Sequence, residues 1–219
     1  MHSFSTQIIN FLAAILLLLS FAMLSQRRIL ALIHLYTLQG VTLVSANLVL
    51  GVATADTHLY VSAVLTLLLK VALLPWILYK LVQRLNVKAD VEPLLNIPAT
   101  LLIGIVLVIV AFNVASPVSQ LAASVARGTL GIALACVLLS FMMMITRAKA
   151  IPQVIGFLSM ENALFFAATA ATNGMPMIVE LGIGLDVLVG LLILGVFMFQ
   201  IREQFDSLDI HHLEKLKDD

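Results

Sequence analysis

Seven stretches of this chain stay apolar over roughly the 20 residues that a helix needs to cross a bilayer. They are Phe4 to Ser25, Ile29 to Gly51, Leu59 to Val82, Pro98 to Ala115, Ala126 to Thr146, Gln153 to Asn173 and Met177 to Ile201. The expected fold is therefore an all-α integral membrane protein of about seven transmembrane helices. Composition agrees, since 62% of residues are hydrophobic and 11% are charged, against about 45–50% and 25% in soluble proteins. Twelve basic residues balance twelve acidic ones, so the basic footprint of a nucleic-acid binder is missing.

Orientation follows from the alternate loops, because cytoplasmic loops retain Lys and Arg. One side holds Arg27, Arg28, Lys80, Arg84, Lys88, Arg147, Lys149, Arg202, Lys215 and Lys217, ten in all, and the other only Arg127. This bias requires an odd number of spans and puts the N-terminus outside and the C-terminus in the cytoplasm. The first apolar run lacks a basic leading region and ends in Gln26-Arg27-Arg28, so it reads as a retained anchor and not as a cleaved signal. Residues 1–97 then form an N-terminal three-helix segment with a cytoplasmic loop. Residues 98–125 hold a fourth helix and a linker, 126–201 a three-helix unit, and 202–219 a cytoplasmic tail. The stretch from Ser116-Pro117 to Ala126 reads equally as a polar linker or a short interfacial helix.

Charged groups at the bilayer centre cost roughly 2.5–3.5 kcal/mol each on insertion scales, so they are rare and mark function or pairing. Lys70 sits at the midpoint of the third span. Ser62, Thr66 and Lys70 recur at helical spacing and form one polar stripe. Pro75 removes the α-helical hydrogen bond to the carbonyl of Val71, one residue from the lysine. Lys70 reads either as part of a hydrated path or as the partner of a carboxylate on a neighbouring subunit. Glu161 lies in the sixth span, and Asp186 lies in the seventh between Gly182 and Gly190. The short connection Asn173 to Pro176 makes those two helices antiparallel neighbours, and their carboxylates at similar depth suit a proton relay. The alternative for each is a neutral acid hydrogen-bonded across an interface. Glu180, one turn inside the seventh span, is either an outer port or an interfacial carboxylate. His34, five residues into the second span, is either a proton donor or a core histidine, and Gln39 and Asn47 add polarity to that span.

Redox and metal chemistry find little to work with. Cys136 is the single cysteine, which excludes a disulfide framework and a Cys-ligated cluster within the chain. A bis-histidine haem lacks its second intramembrane His, because His2, His58, His211 and His212 are terminal or in loops. His211 and His212 are adjacent and do not point at one spot on a helix. Met142, Met143 and Met144 spread around their helix and suit packing. Phosphate-binding Gly-rich loops and a His-Glu-x-x-His motif are absent, as is a legible nucleophile–base pair. No cofactor, no metal and no catalytic role are expected.

The runs Arg147 to Ala163 (R-A-K-A-I-P-Q-V-I-G-F-L-S-M-E-N-A), Val179 to Gly190 (V-E-L-G-I-G-L-D-V-L-V-G), Leu208 to Leu213 (L-D-I-H-H-L) and Lys70 to Pro75 (K-V-A-L-L-P) resemble membrane component E of hydrogenase-4 and formate-hydrogenlyase-type complexes. The resemblance covers nearly the whole chain. Its last three spans are in turn similar to the small K subunit of respiratory complex I, whose two intramembrane glutamates serve the proton pathway. By register Glu161 matches the first of these, and Asp186 stands where the second is a glutamate, one methylene longer. The resemblance implies a subunit without cofactors, packed between antiporter-like membrane subunits and a quinone-site-like membrane subunit.

The expectation is thus a non-catalytic subunit of a complex-I-related redox complex in the bacterial plasma membrane, with Glu161, Asp186, Lys70, Glu180 and His34 contributing to proton or sodium movement. A purely structural membrane-arm subunit is the alternative. A freestanding secondary transporter requires internal repeats, and none is evident among the seven spans.

Overall fold

The computed structural model describes residues 2–54, 57–84, 95–121 and 124–172, together with Gly184, Leu188 and Gly195. Nearly all of these are helical: α1 His2–Ser25, α2 Ile29–Thr54, α3 Thr57–Thr66, a π-helical segment Leu67–Leu73, α4 Leu74–Arg84, α5 Ile97–Leu121, α6 Ser124–Thr146 and α7 Ala150–Thr172. Six stretches among the described residues are long and apolar enough to cross a membrane, the third being the continuous run His58–Gln83 through α3, the π segment and α4. The chain is a multi-pass membrane protein. Gly184, Leu188 and Gly195 are helical; the rest of the stretch expected as a seventh span lies outside the described residues.

Local chemistry sets the helix ends. After Ser25 the chain turns at Gln26, whose N–H donates to the Met23 carbonyl. The N–H of Leu32 then donates to the Arg28 carbonyl and opens α2. Pro98 and Pro152 fall in the first turns of α5 and α7, where the missing N–H has no helical acceptor to lose. Pro117 does not end its helix. α5 runs on to Leu121 and α6 begins at Ser124, so most of the stretch from Ser116 is helical. A proline inside a helix removes one bond and leaves the following turn free to continue.

The helices α1, α2, α7 and α6 close a ring in which each packs on the next. The third span lies against α2, and α5 lies against α6 and α1. α6 and α7 pack most extensively, because Gly156 lets the chains approach. A Cβ placed there would stand 2.9 Å from Met144 Cγ and 3.3 Å from the Ser140 carbonyl oxygen. Small residues at such crossings are how membrane helices gain contact, since lipid supplies no hydrophobic drive between them. Two apolar clusters fill the ring. One, with Met23, Leu24, Ile29, Leu32, Leu139, Met143, Ile151 and Ile155, occupies the end where α2 and α7 begin. The other, with Ile9, Leu43, Leu50, Cys136, Ala163 and Phe166, occupies the opposite half.

Candidate functional site

Lys70 and Glu161 meet inside the bundle. Lys70 Nζ donates to Glu161 Oε1 at 2.8 Å, and the two side chains are 7% and 10% exposed. Lys70 is the twelfth residue after His58 in a span that ends at Gln83, and Glu161 the tenth after Ile151 in one that ends at Thr169. Both therefore stand near mid-depth. In a low-dielectric interior each charge is strongly penalised alone, and close pairing offsets much of that penalty. The ammonium also lies 4.9 Å from the ring centroid of Phe165, one helical turn beyond Glu161, a cation–π contact that adds to its stabilisation.

The lysine is presented by an irregular backbone. The seven residues Leu67–Leu73 are π-helical, and the Leu74 N–H donates to the Leu69 carbonyl, five residues back. Continuing that register would require an N–H at residue 75 for the carbonyl of Lys70, and Pro75 has none. The acceptor left free by the proline is thus that of Lys70 itself, whereas α-helical spacing would make it Val71. Gly40 of α2 packs directly on this bulge. A Cβ at Gly40 would stand 3.0 Å from Val71 Cγ2 and 3.4 Å from the Lys70 carbonyl oxygen. π-bulges inside helices frequently accompany functional sites.

Around the pair lies a layer of buried polar side chains. Ser62 and Thr66, on the stripe with Lys70, are 1% and 4% exposed. Ser62 Oγ accepts from Asn47 Nδ2 of α2 at 3.2 Å, and Gln39 Nε2 donates to Ser20 Oγ of α1 at 3.1 Å. Ser140 and Ser159 bridge α6 to α7 at 2.9 Å. Tyr36 is fully buried and within electrostatic reach of Glu161. Glu161 Oε2 has no hydrogen-bond partner among the described residues. A cavity of about 10 Å³, lined by Thr66, Leu69, Lys70, Glu161, Phe165 and Gly184, adjoins the pair; that is about the space one water needs.

Of the residues singled out in the sequence, Lys70 and Glu161 are brought together. His34 is not, because it lies on the exposed face of α2 with Leu30, Leu38 and Val41. Glu180 and Asp186 lie outside the described residues. Gly184, two residues before Asp186, is buried at the cavity, where a Cβ would stand 2.9 Å from Leu69 Cδ1.

Sequence reasoning passed over Phe165, Tyr36 and Asn162, although Asn162 adjoins Glu161 and is fully buried. It also read Arg147 only as a loop charge. Arg147 is 2% exposed and its Nη2 donates to the carbonyls of Leu24, at 2.8 Å, and Met23, at 3.4 Å. These carbonyls lie in the last turn of α1, where Met23 also accepts from the Gln26 N–H, so a cation there complements the helix dipole. Burial, and then the like charge of Arg27, lower the Arg147 pKa from its ordinary value.

The chain is 32% identical over 212 residues to the uncharacterized protein Rv0085 of Mycobacterium tuberculosis (strain ATCC 25618 / H37Rv), with 96% of each chain covered. It belongs to the same family as Rv0085. The kinship with Rv0085 covers nearly the full length of both sequences. No family model and no solved structure matches the chain.

Proposed function

We propose that this chain is a non-catalytic, ion-translocating subunit of a multi-subunit redox complex in the bacterial plasma membrane. The complex is related to complex I and of the group 4 nickel–iron hydrogenase or formate-hydrogenlyase type. In this reading the chain spans the membrane seven times, with its N-terminus outside and its C-terminus in the cytoplasm. It packs among lipids between antiporter-like subunits and a quinone-site-like subunit, and electron transfer takes place in other chains. The observation that supports it most is the mid-depth Lys70–Glu161 ion pair, with one carboxylate oxygen unpartnered among the described residues. A proton reaching Glu161 Oε2 neutralises the carboxylate and deprives the Lys70 ammonium of its counter-charge. The ammonium then favours passing a proton on or turning toward another acceptor. Each transfer changes the charge that the neighbouring group faces across 2.8 Å, so the two act as one unit. Asp186, two residues along the chain from the cavity-lining Gly184, is the proposed continuation of the relay, with Glu180 as an outer port. His34, on the exposed face, is assigned to the boundary with a partner subunit.

Retrieval of the chain from gently solubilised membranes tests the first half of the reading, and it should migrate with several other subunits. Migration alone near the mass of one chain in detergent contradicts it. The second half is tested by Glu161→Gln in the assembled complex, where fewer ions should move per turnover.

A second reading draws on the same ion pair. The bond ties the third span to α7, so the chain could serve as a structural element of the membrane arm. In that case Glu161→Gln lowers the amount of complex and leaves turnover per complex unchanged.

A further inference from the structure

Buried polar atoms without partners are concentrated on two helices. Besides two guanidinium nitrogens of Arg147, the unpartnered buried side-chain atoms among the described residues are Tyr36 Oη, Gln39 Oε1 and Asn47 Oδ1 on α2, with Glu161 Oε2, both amide atoms of Asn162 and Thr169 Oγ1 on α7. α2 and α7 pack together. Both rise from the Arg147 end of the bundle, α2 from Ile29 and α7 from Ala150. The polar residues fall at matched heights along them. Gln39 stands ten residues up (39 − 29) and Glu161 eleven (161 − 150), while Asn47 stands eighteen and Thr169 nineteen. At about 1.5 Å per residue the set from Glu161 to Thr169 spans roughly 12 Å. Thr169 is then one turn from the end of α7 at Thr172.

An unpaired amide or hydroxyl in an apolar interior costs roughly 1–3 kcal/mol by mutational measures, and more by transfer to hydrocarbon. Buried polar groups are accordingly satisfied by protein or by ordered water, and such waters gather where two or more polar atoms converge. Tyr36 lies among the first of the two apolar clusters, and the rest of the set lies alongside the second. Between Ala150 and Leu158, α7 contributes Ile151, Ile155 and Leu158 to an apolar cluster, joined by Ile29, Leu32 and Ile33 of α2. That cluster seals the Arg147 end. Towards the other end, Asn47, Ser62, Thr66 and Thr169 carry polarity most of the way out.

We infer that α2 and α7 enclose a file of ordered water that runs from the Lys70–Glu161 pair toward the end of the bundle opposite Arg147. The chain thereby has its own one-sided access route to the ion pair, separate from any lateral contact with a partner. The file stands on the geometry alone; its role as an ion entry rests on the proposed function.

The test uses the full chain in sealed membrane vesicles of each orientation. Cys136, the single cysteine, is replaced by Ala, and Thr169→Cys and Asn47→Cys are compared with Ala46→Cys and Ala163→Cys on the same two helices, both of which lie among apolar side chains. A small charged methanethiosulfonate should label the first two at least about tenfold faster than the controls, and only from the face opposite Arg147. Labelling as slow as the controls, or faster from the Arg147 face, overturns the proposal. Hydroxyl-radical footprinting of the unmodified chain provides a measurement without substitutions. Phe165, 5% exposed and lining the cavity at the pair, should be oxidised within about tenfold of Tyr60 and Tyr79, which are 39% and 47% exposed, because the radical forms in water beside it. Protection of Phe165 far beyond that ratio means a dry interior and overturns the proposal as well. Both readouts report water whether or not ions move. Positive labelling with undiminished transport in Glu161→Gln removes the proposed function and leaves the file, and the converse result removes the file alone.

Discussion

Lys70 Nζ lies 2.8 Å from Glu161 Oε1 although 91 residues separate them along the chain, so one ion pair ties the π-bulged third span to α7 near mid-depth. Removing either partner strands the other in a low-dielectric interior. Lys70→Met or Glu161→Gln alone should cost about 3–5 kcal/mol, while the double variant recovers most of it, because neutral groups need no counter-charge. Thermal unfolding in lipid nanodiscs checks this, and additive effects in the double variant would show that the two side chains are not coupled.

Gly40 sets how closely α2 approaches the bulge. Ala at a helical Gly normally stabilises by roughly 0.5–1 kcal/mol, but here the new methyl meets Val71 Cγ2 at 3.0 Å. A β-branched valine has little rotamer freedom with which to yield. Overpacking of about 1–3 kcal/mol should outweigh the propensity gain, so Gly40→Ala is expected to lower the unfolding temperature and Gly40→Leu to lower it further. A rise in the Gly40→Ala variant would mean that the bulge relaxes freely.

Pro75 supports the π register by withholding an N–H from the Lys70 carbonyl. Pro75→Ala restores that donor and lets the third span return toward α-helical spacing, which rotates Lys70 away from Glu161. The double-mutant coupling between Lys70 and Glu161 should then fall from its value in the unmodified chain by more than half, a change of about 1 kcal/mol or more. Unchanged coupling would show that the bulge holds without the proline.

Arg147 fastens α6 to the end of α1 through the carbonyls of Met23 and Leu24. Hydrogen bonds to a charged group contribute about 1.5–3 kcal/mol, so Arg147→Gln should destabilise by that order. It should also quicken trypsin cleavage after Arg27 and Arg28, which follow that helix end directly. Cleavage at an unaltered rate would show that the turn is held by other contacts.

The spans were legible because hydrocarbon demands long apolar runs, and the limits Phe4–Ser25 and Gly128–Thr146 fall within two residues of those read from the sequence. The stripe Ser62, Thr66, Lys70 was legible from helical spacing, and all three are buried. What could not be read is which way each helix turns relative to the others. Depth alone left Lys70 open to a carboxylate on another subunit, and only the packing of the third span on α2 brings it to Glu161. Likewise His34 and Gln39 sit one and a half turns apart on one helix, yet one is exposed and the other 1% exposed. Periodicity offered no seam to separate them, since apolar residues surround this helix on every side. The bulge was hidden by the assumption of α-helical spacing around Pro75, and Arg147 by the usual equation of a loop cation with solvent.

The central claim is that the buried pair moves charge as well as holding helices together. Its most direct test is the number of protons or sodium ions moved per turnover by the intact complex, isolated through this chain and sealed into vesicles, with Glu161→Gln compared with the unmodified chain at equal complex content. The account predicts a clear fall in ions moved per turnover with the complex still assembled. Full stoichiometry in a normally assembled Glu161→Gln complex would contradict it.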